Sequence, residues 1–323
     1  MITRRGLAGA AALLGARDAF AQARYPDQPV RIIVPFPAGG PADIVGRVLA
    51  RALSDSFGQS FVVDNRAGAG GVIGVEAVAR ARPDGLTLGI GSSGALCVLP
   101  SLLPNMPYVV ERDIQPVSLA VIVPQVLAVH PSVPARSVAE LVALAKARPG
   151  SLNFGSSGSG NSLHLAAELF RARAGGIDIV HVPYRGAAPA LTDLIGGQVQ
   201  MMFGDVPVML PAVRAGTIRA LGVTAAARSH ALPDVPTMSE AGIAGVESES
   251  FYGLIAPAGI ATERLAALEA AVKAALVNPV IRQSLLDQGG RLIGNSPAEF
   301  ARHIRAEAEK WAEVIRFSGA KLD

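Results

Sequence analysis

The chain has 323 residues, half of them hydrophobic, and no apolar run reaches the ~18 to 20 residues that a membrane span needs. Charged residues make up 17% and aromatics 5%, the formal net charge is +3, and Gly (35) and Pro (23) are abundant. This balance excludes a disordered chain, gives no case for a nucleic-acid partner, and suits a loop-rich α/β protein with room for two domains.

Residues 1–23 have the form of an export signal. Arg4 and Arg5 supply a positive start, 6–16 is a short apolar stretch, and Ala19-Phe20-Ala21 and Ala21-Gln22-Ala23 are small-x-small cleavage sites. The predicted mature N-terminus is Gln22 or Arg24, and the predicted location is the periplasm. Thr3-Arg4-Arg5-Gly6-Leu7 also approximates a twin-arginine signal, so both export routes stay open. The leader carries three arginines, Arg4, Arg5 and Arg17, so much of the positive surplus is its own. The single cysteine, Cys97, excludes an intrachain disulfide and reads as a buried, inert thiol among apolar neighbours.

Short runs rich in Val and Ile then alternate with helical patterns. Residues 30–36 predict a strand. Residues 42–57 predict a helix, with Ile44, Val45, Val48, Leu49, Ala52 and Leu53 on one face. Strand 61–64, helix 73–81 and strand 86–91 follow, an order that predicts a largely parallel sheet with covering helices. A new phase begins near Val117, where 117–130 is nearly all apolar but broken by Pro124. Helix 137–148, strand 152–155, helix 162–174, strand 177–182, helix 188–196 and strands 201–203 and 219–224 repeat the alternation. Strand 251–256 precedes helices 263–276 and 297–317, the last carrying Phe300, Ile304, Trp311 and Ile315 on one stripe with Gly319 as its stop.

Two Gly-rich segments lie between a strand and a helix. Pro35-Phe36-Pro37-Ala38-Gly39-Gly40-Pro41-Ala42-Asp43 brings backbone N–H groups together at a helix start, where Pro41 costs nothing. The run Gly155-Ser156-Ser157-Gly158-Ser159-Gly160-Asn161-Ser162-Leu163-His164 adds hydroxyls and an amide. Both are either tight turns with ordinary caps or anion sites. Three other predicted helix starts carry capping boxes, Ser137 with Glu140, Thr237 with Glu240 and Ser296 with Glu299, and satisfy their own amides. The two Gly-rich segments lack that glutamate, which favours the anion reading, although Asp43 could cap the first helix. Weaker polar turns follow strands at Ser92-Ser93, Tyr184-Arg185-Gly186-Ala187 and Gly204-Asp205.

Signs of catalysis are poor. The chain has no G-x-S-x-G elbow and no P-loop lysine, and the glycine spacing of 68–74 misses a dinucleotide fingerprint. The five histidines show no metal-ligand spacing, so neither metal nor cofactor is expected. His164, beside the serine loop, reads as a hydrogen-bonding residue rather than a base.

Taken together, the Pro-Phe-Pro-Ala-Gly-Gly loop with Asp43, Asn65-Arg66 to Gly74, Arg82-Pro83-Asp84-Gly85, Ser157-Gly158, His181-Val182-Pro183-Tyr184, 232–237 and 253–259 resemble the substrate-binding proteins of tripartite tricarboxylate transporters, also called Bordetella uptake proteins. The resemblance covers essentially the whole mature chain. It implies a two-lobed type II periplasmic binding protein fold with a ligand cleft between α/β lobes: residues 24–123 with 246–323 as lobe 1, and 124–245 as lobe 2. Strands would cross between lobes near 122–125 and 247–252. It also implies capture of a small carboxylate (a dicarboxylate, amino acid or aromatic acid), membrane permease subunits as partners, a monomer, and no chemistry. The expected binding residues are Phe36, Ala38, Gly39, Gly40, Asp43, Ser92, Ser93, Ser157, Gly158, Asn161, Ser162, His164, Tyr184, Gly186, Ala187 and Asp205. Two departures stand out. Ala42 replaces a common Thr, and Gly204-Asp205 replaces a pair such as Asp-Asn, which bears on distal-group specificity. Sensing for a membrane kinase, or hydrolysis by Ser162 with His164, are the competing functions.

Overall fold

The structure, a computed structural model, describes residues 25–287 and 289–318. The leader, both candidate mature N-termini and the Gly319 stop lie outside the described residues.

Strands β1 (Val30–Val34), β2 (Phe61–Asn65) and β3 (Thr87–Ser92) run parallel, linked by helices α1 (Pro41–Phe57) and α2 (Val72–Ala79). Side chains alternate along β1. Val30, Ile32 and Val34 enter one core with Leu49, Leu53 and Leu88, while Ile33 enters another with Val75, Phe300 and Trp311. Apolar layers thus cover both faces, as a parallel sheet requires. Beyond β3 come a π-helical turn (Gly94–Val98) and two short helices, α3 (Leu99–Leu102) and α4 (Val110–Asp113).

Strand β4 (Ile114–Val129) is the longest, and Pro124 does not interrupt it. Residues 114–124 pair antiparallel with β9 (Glu249–Pro257), whereas 125–129 pair with β7 (Met201–Asp205). Strand β8 (Arg219–Val223) flanks 126–129 on the other side, and β10 (Arg291–Leu292) flanks 121–122. Pro124 sits where the partners change, so its missing N–H interrupts no continuous ladder. With β5 (Asn153–Ser156) and β6 (Val180–Pro183) parallel beside β7, the strand order is β2-β1-β3-β9-β4-β7-β5-β6.

Helices α5 (Val138–Ala147), α6 (Ser162–Arg173), α7 (Ala187–Ile195) and α8 (Val206–Arg214) cover the β5–β8 half. Its two cores divide along β4, Leu127 and Val129 into one and Val126 and Ala128 into the other. Helices α9 (Thr262–Val277), α10 (Pro279–Asp287) and α11 (Pro297–Ser318) return to the β1–β3 half. Phe300, Ile304 and Trp311 of the predicted stripe are buried and Ile315 is half-buried.

The structure corrects several local expectations. Ser92 is the last residue of β3 and Ser93 is already helical, so no loop separates strand from turn there. Likewise β7 passes straight into α8 at Asp205, with Pro207 in the first helical turn. The Thr237–Glu240 box closes reciprocally, Thr237 N–H to Glu240 at 2.8 Å and Glu240 N–H to Thr237 at 3.0 Å, but it closes a turn and not a helix.

Candidate ligand-binding site

A cavity of about 530 Å³, counting solvent at its mouth, lies where the two halves of the sheet meet. Of the expected residues, Phe36, Ala38, Gly40, Ser92, Ser93, Ser157, Asn161, Ser162, Gly186, Ala187 and Asp205 line it. Gly158 and Tyr184 line an adjoining, wider space of about 1170 Å³ together with Arg185. Gly39, Asp43 and His164 line neither. Pro37, Gly94 and Tyr252 line the cavity and were not expected there.

Helix starts supply most of the wall. Helix α1 begins at Gly40 and α7 at Gly186, and neither has a side-chain cap. The first amides of a helix have no intrahelical partner, so those of Ala42 and Asp43, and of Ala187 and Ala188, remain available at the positive ends of the two helices. Helix α6 is different. Asn161 caps it, its Oδ1 accepting from the amides of Leu163 and His164 at 3.0 Å each, while its Nδ2 donates to Ser157 Oγ at 2.7 Å. The expectation that this loop leaves its amides free is therefore corrected. Asparagine at the cap satisfies the first-turn amides on its own, with no glutamate three residues on.

Asp43 does not face the cavity. Its Oδ2 accepts from the Gly39 amide at 3.0 Å and from Arg47 at 2.9 Å, and its Oδ1 from Asn65 at 2.9 Å. Burial raises this carboxyl, but the bonds from Arg47, Gly39 and Asn65 outweigh it and hold its pKa below the usual carboxylate value. Asp43 thus fixes the loop from behind. His164 is also a brace. Its Nδ1 accepts from the Gly160 amide at 3.1 Å, and its ring stacks on His181 at 4.1 Å. Ser162 Oγ instead meets Ser250 Oγ at 3.0 Å, so Ser162 and His164 form no nucleophile–base pair.

Asp205 closes the floor. It is 1% exposed, and its two oxygens accept from Ser250 Oγ and from Tyr252 Oη, both at 2.6 Å. Burial pushes its pKa up to about 6 against the lowering effect of these two donors. The network continues into β4 and the residue that precedes β9. Gln125 Nε2 donates to Ser250 Oγ at 3.0 Å, and Ser248 Oγ donates to Gln125 Oε1 at 2.9 Å. On the wall, Ser92 Oγ is buried with no hydrogen-bond partner among the described residues. No lysine or arginine lines this cavity.

Residues 45–319 match the family model described as the tripartite tricarboxylate transporter family receptor. The chain belongs to this family. It is 41% identical over 299 residues to protein BugT of Bordetella pertussis, covering 92% of this chain and 91% of that one. It superposes on R. palustris Rpa4515 with adipate at TM-score 0.90 and 37% identity, covering 93% of this chain and all of that one. The structure of the periplasmic binding protein BugD matches with TM-score 0.88 and 32% identity over 93% of this chain and all of that one. The α/β periplasmic binding protein fold follows, as does the class of function: a solute-binding receptor of a tripartite tricarboxylate transporter, which is not an enzyme.

Proposed function

We propose that this receptor is exported to the periplasm, captures one small carboxylate in the cavity between its halves, and presents it to membrane permease subunits. In this reading residues 24–123 with 246–323 form one lobe and 124–245 the other, and the chain passes between them within β4 and again just before β9. The observation that carries the reading is the convergence of uncapped helix starts on a cavity without a cationic side chain. Such a wall suits an anion held by neutral donors. Relatives support the class, since Rpa4515 is solved with adipate and MatC of Rhodopseudomonas palustris with malate.

A thermal-shift screen of the mature protein over small mono-, di- and tricarboxylates tests this. A true ligand at a hundredfold excess over its Kd contributes ~2.7 kcal/mol and a clear rise in Tm. Stabilisation by uncharged or purely cationic solutes alone would contradict it. The same reading sets the part of Arg185, which lines the wider space and not the cavity. Arg185→Gln is expected to weaken binding less than tenfold, or ~1.4 kcal/mol, by calorimetry. Complete loss would mean that a salt bridge carries recognition.

A further inference from the structure

The floor of the cavity is built from the opposite chemistry to its wall. Ser250 has one hydroxyl proton, and it goes to Asp205. The bond between Ser162 and Ser250 must then be donated by Ser162, because Ser250 has none left to give. Tyr252 spends its proton on the other Asp205 oxygen. Burial, and then the neighbouring Asp205 charge, raise the Tyr252 phenol well above its usual pKa, so it stays a donor to Asp205. Ser250 has both of its lone pairs taken, by Ser162 and Gln125, so Ser162 and Tyr252 offer only lone pairs to a solute, and so does an ionised Asp205.

Asp205 has no cationic side chain in contact among the described residues. Arg47 on α1 is held by Asp43, and Arg291 on β10 pairs with Glu249 of β9. Gln125 on β4 is neutral and serves Ser250 and Ser248. On α6, His164 takes the Gly160 amide. As the residue before α8, Asp205 stands at the positive end of that helix, which favours its ionised form. Each Asp205 oxygen accepts one side-chain hydrogen bond, from Ser250 or Tyr252, and has capacity for another.

We propose that Asp205 determines specificity, and that the solute is a zwitterion whose carboxylate takes the helix amides and the Ser92 hydroxyl while its ammonium group takes Asp205. This rests on the carboxylate-binding reading above. A dicarboxylate would bring a second negative charge against a buried carboxylate, whereas an ammonium makes charge-assisted bonds there.

The test is calorimetry with acids matched in chain length: an α,ω-dicarboxylate, the ω-amino acid, and the acid with an apolar end, each straight-chain and α-branched. At pH 7.5 the wild-type protein should bind an amino acid at least ~10-fold more tightly than the matched dicarboxylate. Its affinity should rise as pH is raised through about 6 and then level off, because Asp205 ionises there. Asp205→Asn should weaken the amino acid by ~30-fold or more, flatten the pH profile, and leave the dicarboxylate unharmed or improved. If that variant does not fold, the wild-type preference and pH profile decide alone. A dicarboxylate that binds the wild type more tightly, with affinity falling as pH rises through 6, overturns the inference and leaves the carboxylate reading standing. If no acid of any set binds, both fail.

Discussion

Gly94→Val is expected to weaken solute binding by about a hundredfold while the protein still folds. A Cβ at Gly94 would lie 3.2 Å from both Cα and Cβ of Asn161, which belongs to the opposite half of the sheet. Gly94 does not have a left-handed φ, so the substitution carries no backbone strain of its own. Its cost falls on the contact between the halves, where overpacking is worth ~1–3 kcal/mol and the upper end corresponds to about a hundredfold in Kd. On the proposed two-lobed reading the halves part in the solute-free protein and accommodate the valine, so the free protein should melt near the wild-type temperature. Calorimetry reads the affinity, and small-angle scattering should show that added solute no longer compacts the variant. Gly94→Ala should cost less, since a few tenths of an ångström relieve it. Unchanged affinity in the valine variant would mean that this seam does not close on the solute. Gly186 is the less clean probe. Its Cβ would meet Pro37 across the cleft at 3.2 Å, but its φ of +126° penalises any side chain.

Ser92→Ala should lower affinity by about tenfold to a hundredfold without destabilising the free protein. The Ser92 hydroxyl is buried, lines the cavity and has no partner among the described residues. A hydrogen bond to a charged group is worth ~1.5–3 kcal/mol, and a solute carboxylate is the acceptor this hydroxyl lacks. Removing an unsatisfied buried hydroxyl costs the free protein little, because no bond is lost. Urea unfolding and calorimetry on the same preparation separate the two effects. A variant that is less stable yet binds normally would assign Ser92 to the fold and not to the site.

The wall of the site was legible in the sequence, because its loops announce themselves. Gly, Pro and Ser between an apolar run and a helical pattern mark 36–43, 157–162 and 184–187, and most of those residues reach the cavity. The helix that begins at Asn161 was misjudged for a plain reason. A capping box with glutamate was sought, and a single asparagine instead takes two first-turn amides by itself. His164 was placed at the site by its position in the chain, but a helix turns it beneath the loop onto His181.

The floor was not legible as a unit. Asp205 meets Ser250 and Tyr252 across 45 and 47 residues, and only strand pairing brings them together. A local trace of it exists in the polar alternation of Ser248, Ser250 and Tyr252, which a strand turns to one face. Helix α8 was not predicted, because Gly204-Asp205 reads as a turn and Pro207 follows it, although Pro in a first helical turn is equally ordinary. The π-helical turn and α3 were missed because 94–102 is apolar without a helical period.

The most direct test of the account compares the best-binding acid with its primary carboxamide by calorimetry at low and high salt. The two share shape and differ in charge at the end that meets the helix amides. Neutral donors aimed at an anion predict a micromolar acid, about −8 kcal/mol, and a carboxamide at least ~100-fold weaker. They also predict affinity that changes little with salt, since a buried site is poorly screened. A carboxamide that binds as tightly as the acid would contradict the claim that this cavity recognises a carboxylate.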